Sequence, residues 1–348
     1  MDAIPPKKML ILNILEILRK YSDENHRLSQ KEIQDILARE YATVVDRKAV
    51  KRNLMDLLDN GYDLGYSEKM RTNRAGEEEI IYSDWYIEHE FTDAELRLLV
   101  DGLLFSKHIP VSQCKDLVKK LEGLSNKFFS AKVRHIRTMP DSRPENPDLF
   151  YTIDVLDEAI STKKRVSFHY NEYGVDKRQH RKRNNDGSIT EYKVNPYQMA
   201  AINGRYYLIC SPKYIDAVSH YRIDRISGIR LLDEPITPMR EIPELAHGLN
   251  LPKHMAEHLY MFTGESSRVK FRARKEILND IMDWFDQGTN GMILTADGED
   301  HVICDVYVNE LAMQYWAMQY GESVEVLAPK ELRERVYQAA KTLGSYHE

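Results

Sequence analysis

The chain begins with three segments whose apolar residues recur at helical spacing. Residues 9–18 form one such apolar face, Ser29 starts a capping box that opens a second helix, and Asp46 precedes a third. Two β-rich runs follow between residues 62 and 87. Three short helices and a hairpin are the pattern of a winged helix-turn-helix, which the sequence therefore predicts over residues 1–90.

The third predicted helix separates apolar residues from basic ones. Val50, Leu54 and Leu57 share one face, and the opposite face is cationic. A cationic helix in the major groove reaches base edges, and basic residues at a hairpin tip neutralise phosphates. The alternative is a solvated helix face, since the first 64 residues carry as many acids as bases. The residues expected to bind duplex DNA are Ser29, Arg47, Lys48, Lys51, Arg52, Arg71 and Arg74.

Residues 91–148 predict a helical connector followed by a linker. Thr92 starts another capping box, and Pro110 precedes a second amphipathic run. Neither helix carries a group of residues typical of a catalytic or binding site. We therefore expect this segment to pack against other domains or to form an interface between two chains. Residues 135–148 contain three prolines and little that is apolar, which is typical of a linker.

The middle of the chain predicts a small barrel over residues 149–235. An amphipathic helix precedes a strand at residues 165–173 and a basic turn at residues 175–186. Residues 194–226 then read as three short strands, with the dipeptide Asn203-Gly204 as a hairpin turn. One helix and about five strands in so short a segment favour a barrel.

The C-terminal third predicts a proline-rich connector at residues 236–265 and a ferredoxin-like domain at residues 266–348. The domain's elements follow the order β-α-β-β-α-β-α. Its first strand alternates basic residues, which either extend a binding surface or guard an exposed sheet edge: Arg268, Lys270, Arg272 and Arg274. The whole chain is thus predicted to be an α+β multidomain protein.

Composition narrows the class of protein. Hydrophobic residues make up 42% and charged residues 30%, which is ordinary for a soluble globular chain. The net charge of -6 means that any nucleic-acid surface is a local patch. The three cysteines form no CxxC pair, and no apolar run is long enough to span a membrane. We therefore expect a cytoplasmic protein with no membrane partner, no disulfide framework and no zinc site.

The run Val194–Ile226 contains NPY, then NGRYYL, then YRIDRI, and this series resembles the signature of WYL-domain transcriptional regulators. Tyr206-Tyr207-Leu208 stands where the family has Trp-Tyr-Leu. The resemblance extends over nearly the whole chain. It implies an N-terminal winged helix-turn-helix, a WYL domain with an Sm-like, SH3-type barrel, and the C-terminal extension known as WCX.

The resemblance also implies that the WYL domain senses a nucleic-acid or nucleotide-like effector. Tyrosine rings beside arginines suit such a ligand, because bases stack and phosphates pair with guanidinium groups. The alternative is that the tyrosines are core residues and that Asp224 holds the nearby arginines in a structural ion-pair ladder. The residues expected to contact the effector are Tyr170, Tyr197, Arg205, Tyr206, His220, Arg222 and Arg225.

The sequence contains no persuasive catalytic spacing. It lacks HExxH, GxSxG and a glycine-rich phosphate loop. We therefore expect that the protein is not an enzyme and binds no cofactor and no metal ion. If it is an enzyme, a nuclease is the hypothesis most worth keeping. The sequence predicts a ligand-responsive regulator that binds double-stranded DNA. We expect it to be a homodimer, because a DNA site with two half-sites is bound by two copies of a helix-turn-helix domain. The alternative is an accessory protein that binds single-stranded nucleic acid through the WYL domain and modulates a larger machine.

Overall fold

The chain divides after Arg143 into two compact units, and each has its own hydrophobic core. None of the helices described has the length and apolarity needed to cross a bilayer. The computed structural model describes residues 9–72, 78–132, 146–212, 217–264, 266–285 and 291–347.

The first unit starts with three helices whose predicted caps are confirmed. The Ser29 hydroxyl accepts a hydrogen bond from the backbone N–H of Glu32, and the Asp46 carboxylate accepts one from Ala49. These side chains occupy N–H groups that the first helical turn leaves unpaired, which fixes where each helix begins. The helices are α1 (Leu10–Tyr21), α2 (Gln30–Tyr41) and α3 (Arg47–Asp59).

An antiparallel hairpin of β1 (Leu64–Thr72) and β2 (Glu78–Ile87) follows the three helices. Its Trp85 is fully buried in the core that the helices share. The backbone of Trp85 also exchanges two hydrogen bonds with Leu28, in the loop before α2. The hairpin is therefore anchored to the helices at its base.

Over residues 91–132 the connector contains three helices, one more than the sequence predicts. The capping box at Thr92 is confirmed, and Pro110 stands directly before the second helix. The third helix is short and begins after Asn126, whose side-chain oxygen accepts from two backbone N–H groups. Most of the predicted linker lies outside the described residues. The helices are α4 (Asp93–Phe105), α5 (Val111–Glu122) and α6 (Lys127–Lys132).

The second unit opens with α7 (Leu149–Thr162) and a half-barrel of antiparallel strands. The strands pair in the order β4-β3-β5-β6-β7, and β8 pairs with β3. Among the described residues no ladder joins β7 to β8, so the predicted barrel is open at that point. The strands are β3 (Lys164–Tyr173), β4 (Gln179–Arg181), β5 (Tyr192–Ile202), β6 (Arg205–Pro212), β7 (Ser219–Arg222) and β8 (Ile226–Pro235).

Two turns decide the course of the half-barrel. Asn203 and Gly204 both have positive φ, at 51° and 71°, which confirms the hairpin turn predicted between β5 and β6. The YRIDRI stretch, however, is not one continuous strand. It leaves β7 at Arg222, makes a 3₁₀ turn over Ile223–Arg225 and only then enters β8. This turn redirects the chain onto β3.

The connector between the half-barrel and the C-terminal domain is not a plain linker. It contains the short helix α8 (Leu251–Glu257), whose first turn is capped by the side chain of Asn250. The proline pattern of this segment predicts only a connector and gives no sign of the helix. Its His254 and Ala256 are buried.

The C-terminal domain is a four-stranded antiparallel sheet with helices. The strand order β10-β11-β9-β12 places β9 in the interior of the sheet, so the interpretation of its basic residues as guards of an exposed edge is wrong. Two of them pair with acids of the same sheet instead: the Arg268 Nε donates to Asp305 at 2.6 Å, and the Arg272 Nε donates to Asp297 at 2.5 Å. The elements are β9 (Ser266–Arg274), α9 (Leu278–Phe285), β10 (Ile293–Asp297), β11 (His301–Asn309), α10 (Glu310–Tyr320), β12 (Val324–Ala328) and α11 (Lys330–Gly344).

Candidate nucleic-acid and effector surfaces

In the first unit, α3 presents a basic face to solvent. Its buried residues are Val50, Leu54 and Leu57, which form the inner face of the helix. Arg47 and Arg52 are exposed on the outer side. Within the part of the chain that the structure describes, neither they nor the exposed Lys48 has an ion-pair partner. These three side chains are therefore free to meet an anion.

Lys51, the fourth basic residue of α3, is placed differently. It is half-buried, and its Nζ atom lies 5.4 Å from the centroid of the Tyr82 ring on the hairpin. A cation held over an aromatic face is attracted by the ring's quadrupole. Lys51 thus links α3 to the hairpin, in addition to any contact that it makes outside the protein.

The remaining residues predicted to bind DNA have separate roles or positions. The hydroxyl of Ser29 is engaged in capping α2, so its described role is to define where that helix starts. Arg71 is exposed near the end of β1. Lys69, two residues earlier, pairs with Asp84 across the hairpin at 2.7 Å. Arg74 lies outside the described residues.

An open cavity in the first unit does not coincide with these residues. It is an open cleft of about 1100 Å³ between the first helices and the connector. Both signs of charge line it, including Arg19, Lys20, Glu88 and Glu122. Such mixed charge favours no particular ligand.

In the half-barrel, four aromatic rings pack mainly against one another. Tyr221 contacts Phe168, Tyr170 and Tyr192 with ring centroids 5.1–5.3 Å apart. Edge-on and tilted arrangements at these distances are the favourable geometry for aromatic pairs. Burial raises the pKa of the Tyr170 and Tyr221 hydroxyls. The cluster thus serves as internal packing more than as an open stacking platform.

Tyr197, Arg205 and Tyr206 occupy three different environments. Tyr197 is only 2% exposed, and its hydroxyl donates to the carbonyl oxygen of Thr237 at 2.9 Å. It therefore belongs to the core and leaves no ring face for a ligand. Arg205 and Tyr206 are half-buried at the start of β6, where strand alternation directs them to opposite faces of the sheet.

Arg222 is committed to an internal ion pair. Its guanidinium makes two hydrogen bonds to the Asp224 carboxylate, at 3.1 and 2.7 Å. The side chain of Asp224 is fully buried and that of Arg222 is 13% exposed. The structural ion pair weighed as the alternative for this stretch is thus present at Arg222. A phosphate would have to compete with a buried carboxylate for this residue.

Arg225, three residues further on, has no such partner. Its guanidinium carbon lies 5.5 Å from the centroid of the Tyr173 ring. Its Nε atom is buried and makes no hydrogen bond to any described residue. A buried donor without a partner is costly. The side chain of Arg225 as a whole is half-buried, and it makes no ion pair with any described residue.

The basic loop around β4 is partly neutralised by its own acids. Lys182 pairs with Glu172 at 3.1 Å, and His180 pairs with Asp176 at 2.8 Å. An open depression of about 570 Å³ lies beside Lys182 and Tyr192. The loop behaves mainly as a solvated surface in which charges of opposite sign meet.

His220 lies in a cluster that no pattern along the sequence predicts. Its half-buried side chain packs against the rings of His254 and His258, which come from the connector helix α8 and the residue after it. The available signal was the pair His254 and His258, four residues apart, a spacing that places both side chains on one helical face. His220 is 34 residues away from His254 in sequence, so no local pattern connects it to them.

Comparisons with known proteins agree with the domain order found here. The WYL domain family model matches residues 151–231, and the WCX domain family model matches residues 265–344. No curated protein matches the chain. The half-barrel and the C-terminal sheet described above lie largely within the two matched segments.

Two solved structures are similar over most of the chain at low sequence identity. The proteasome accessory factor B/C (PafBC) of Arthrobacter aurescens is 15% identical, with a TM-score of 0.30. The match covers 94% of this chain but 47% of that one, so the present chain spans about half its length. A CRISPR Cas-related protein is 14% identical, with a TM-score of 0.37 and coverage of 98% and 84%.

The chain is thus a multidomain protein built from helices and several antiparallel sheets. More particularly, it contains a WYL domain at residues 151–231, followed by a WCX domain at residues 265–344.

Proposed function

We propose that this WYL-domain protein is a homodimeric transcriptional regulator that binds duplex DNA through its first unit and an anionic, nucleotide-like effector through its half-barrel. The observation that carries the proposal is the solvent face of α3, where Arg47, Lys48 and Arg52 have no ion-pair partner among the described residues. The protein would act in the cytoplasm as a binding protein without catalytic activity.

The arrangement of the first unit supports a winged helix-turn-helix. Three helices precede a hairpin, and α3 keeps one face in the core while the other is basic. This geometry suits a recognition helix in the major groove with a wing beside it. Two copies would read two half-sites, because a two-fold symmetric dimer presents two such helices.

The topology of the second unit supports a particular fold for each of its two domains. A short 3₁₀ turn connects the last two strands of the half-barrel, in agreement with an SH3-type or Sm-like domain. The order β10-β11-β9-β12 and the β-α-β-β-α-β connectivity support a ferredoxin-like WCX domain. Neither arrangement depends on a catalytic site.

The test of DNA binding is a triple substitution on the exposed face of α3. We expect duplex affinity to fall at least about 100-fold, because removing a side chain that binds a base edge costs about 1–3 kcal/mol. The salt dependence should also weaken by about one unit of log–log slope for each phosphate that the variant no longer neutralises. The substitutions are Arg47→Ala, Lys48→Ala and Arg52→Ala.

The control removes the same charge from an exposed helix elsewhere in the first unit. Affinity should change little in that variant, since its lysines lie on α5. The DNA probe is a duplex selected from a random library with the wild-type protein. Equal affinity of all three proteins, or selection of single strands only, would favour the accessory role over the regulator. The control substitutions are Lys115→Ala, Lys119→Ala and Lys120→Ala.

The effector proposal is tested at Arg225. Replacing Arg225 with alanine should weaken binding of a labelled single-stranded oligonucleotide by at least about 10-fold, because a hydrogen bond to a charged group contributes about 1.5–3 kcal/mol. Fluorescence anisotropy measures the affinity. Arg230→Ala, an exposed arginine on β8, is the matched control and should bind as the wild type does. A loss of the same size in both variants would indicate general charge attraction and no defined site.

A further inference from the structure

Half-buried His220 comes together with the buried His254 and His258 in the second unit. His220 lies on β7, His254 on α8, and His258 directly after α8. The Nε2 atoms of His220 and His254 are 2.8 Å apart, and the rings of His254 and His258 have centroids 4.3 Å apart. One ring nitrogen from each residue lies within 4.8 Å of the other two.

The hydrogen bonds of the cluster leave ring nitrogens available. The Nδ1 atom of His258 donates to the carbonyl oxygen of Phe262 at 3.1 Å, which places the proton on Nδ1 and leaves the Nε2 lone pair free. The Nδ1 atom of His220 is buried and has no hydrogen-bond partner in the described ranges. The contact between the Nε2 atoms of His220 and His254 is a hydrogen bond, so one of these two rings carries its proton on Nε2. Both can bind one ion through Nε2 once that proton moves to Nδ1.

We propose that His220, His254 and His258 bind a divalent transition-metal ion, with Zn²⁺ the first candidate. Imidazole nitrogens bind zinc at about 2.0–2.1 Å, so two of them on one tetrahedral ion lie about 3.3 Å apart. The separation of 2.8 Å between His220 and His254 is within a small side-chain adjustment of that value. A donor set of nitrogen alone selects against Mg²⁺ and Ca²⁺, which prefer oxygen.

The hydrogen bond to Phe262 fits this assignment. Metal-binding histidines commonly donate their second ring nitrogen to a carbonyl or carboxylate, which fixes the ring and its tautomer. His258 already makes such a contact. Three protein ligands leave a fourth position on a tetrahedral ion, which a water molecule or another small ligand can occupy.

A metal ion at the three histidines would connect two segments of the second unit. His220 is followed by Tyr221 of the aromatic cluster and by Arg222 of the buried ion pair. His254 and His258 belong to the segment between the residues matched to the WYL and WCX domains. A bound ion would cross-link β7 to that segment. This role goes beyond the proposed function and does not depend on DNA binding.

The test uses the tag-free, full-length protein after dialysis against a chelator. Titration with Zn²⁺ in a calorimeter should show one equivalent bound, and Co²⁺ should give the visible absorption of a tetrahedral site. Replacing both α8-associated histidines by glutamine (His254→Gln with His258→Gln) should lower Zn²⁺ affinity at least about 100-fold, since losing one outer-shell partner already costs about 10–100-fold. His247→Gln, an exposed histidine of the same connector, should bind like the wild type.

Two results would overturn the site. One is wild-type protein that binds no stoichiometric Zn²⁺ after dialysis. The other is equal Zn²⁺ affinity in the wild type, the double variant and the His247 control, which would place the ion elsewhere on the surface. If the double variant does not fold by circular dichroism, X-ray absorption on the zinc-loaded wild type decides. A coordination shell with three imidazoles supports the site, and one without them refutes it.

Discussion

Replacing Asp224 with alanine is expected to lower the free energy of unfolding of the second unit by about 3–5 kcal/mol. The substitution leaves the Arg222 guanidinium, 13% exposed, without the carboxylate that accepts two of its hydrogen bonds. An unpaired charge at such a site costs far more than the pair itself contributes, because the charge has already lost its hydration. Denaturant unfolding followed by hydrogen exchange in peptides from β7 and β8 measures the loss.

A matched substitution separates this effect from the loss of any ion pair. Asp233 also pairs with a basic residue, Lys164, at 2.9 Å, but its side chain is 95% exposed. Asp233→Ala should therefore change stability much less than Asp224→Ala does. Arg222→Met combined with Asp224→Leu should recover most of the stability, because neither charge is then stranded. Equal stability of Asp224→Ala and the wild type would contradict the structural role assigned to the pair.

Replacing Trp85 with alanine is expected to destabilise the first unit by about 3–5 kcal/mol. The indole is fully buried among the residues of the three helices and lies 5.0 Å, between ring centroids, from Tyr66. The cost combines lost burial with the cavity that remains, and a cavity next to a hairpin also loosens its attachment. The destabilisation is measured by denaturant unfolding and by hydrogen exchange in the peptides of α1 to α3.

Ile80→Ala is the control for this substitution. Ile80 lies on the same strand but is 47% exposed, so truncating it creates no enclosed cavity. Exchange in peptides of the second unit should not change in either variant, since each unit has its own core. Faster exchange in both units after Trp85→Ala would show that the two cores do not unfold independently.

Sequence-local features were predicted well because their causes are local. The caps at Ser29, Asp46 and Thr92 depend on side chains within three residues of the N–H groups from which they accept. The turn at Asn203-Gly204 depends on two residues that tolerate positive φ. Such signals need no knowledge of distant contacts, so the helix starts and this hairpin followed directly from residue types.

The features that the sequence did not predict depend on contacts between residues that are far apart in the chain. The interior position of β9 depends on which strands pair with it, and strand alternation alone does not reveal that. The histidine cluster unites His220 of β7 with His254 of α8 and His258 directly after it, and no local spacing along the chain connects all three. The sequence leaves two alternatives for the arginines next to Asp224, an effector contact and a structural ion pair. Arg222 and Arg225 have the same residue type but lie in different environments, which the sequence alone does not reveal.

The 3₁₀ turn between β7 and β8 places two arginines under different constraints. Position 222 is bound to position 224 and can change only if its partner changes as well. Position 225 does not depend on that pair and makes no described ion pair of its own, so it is free to vary while the scaffold persists. A substitution at position 225 can therefore change the charge of this turn while the buried ion pair beside it stays intact.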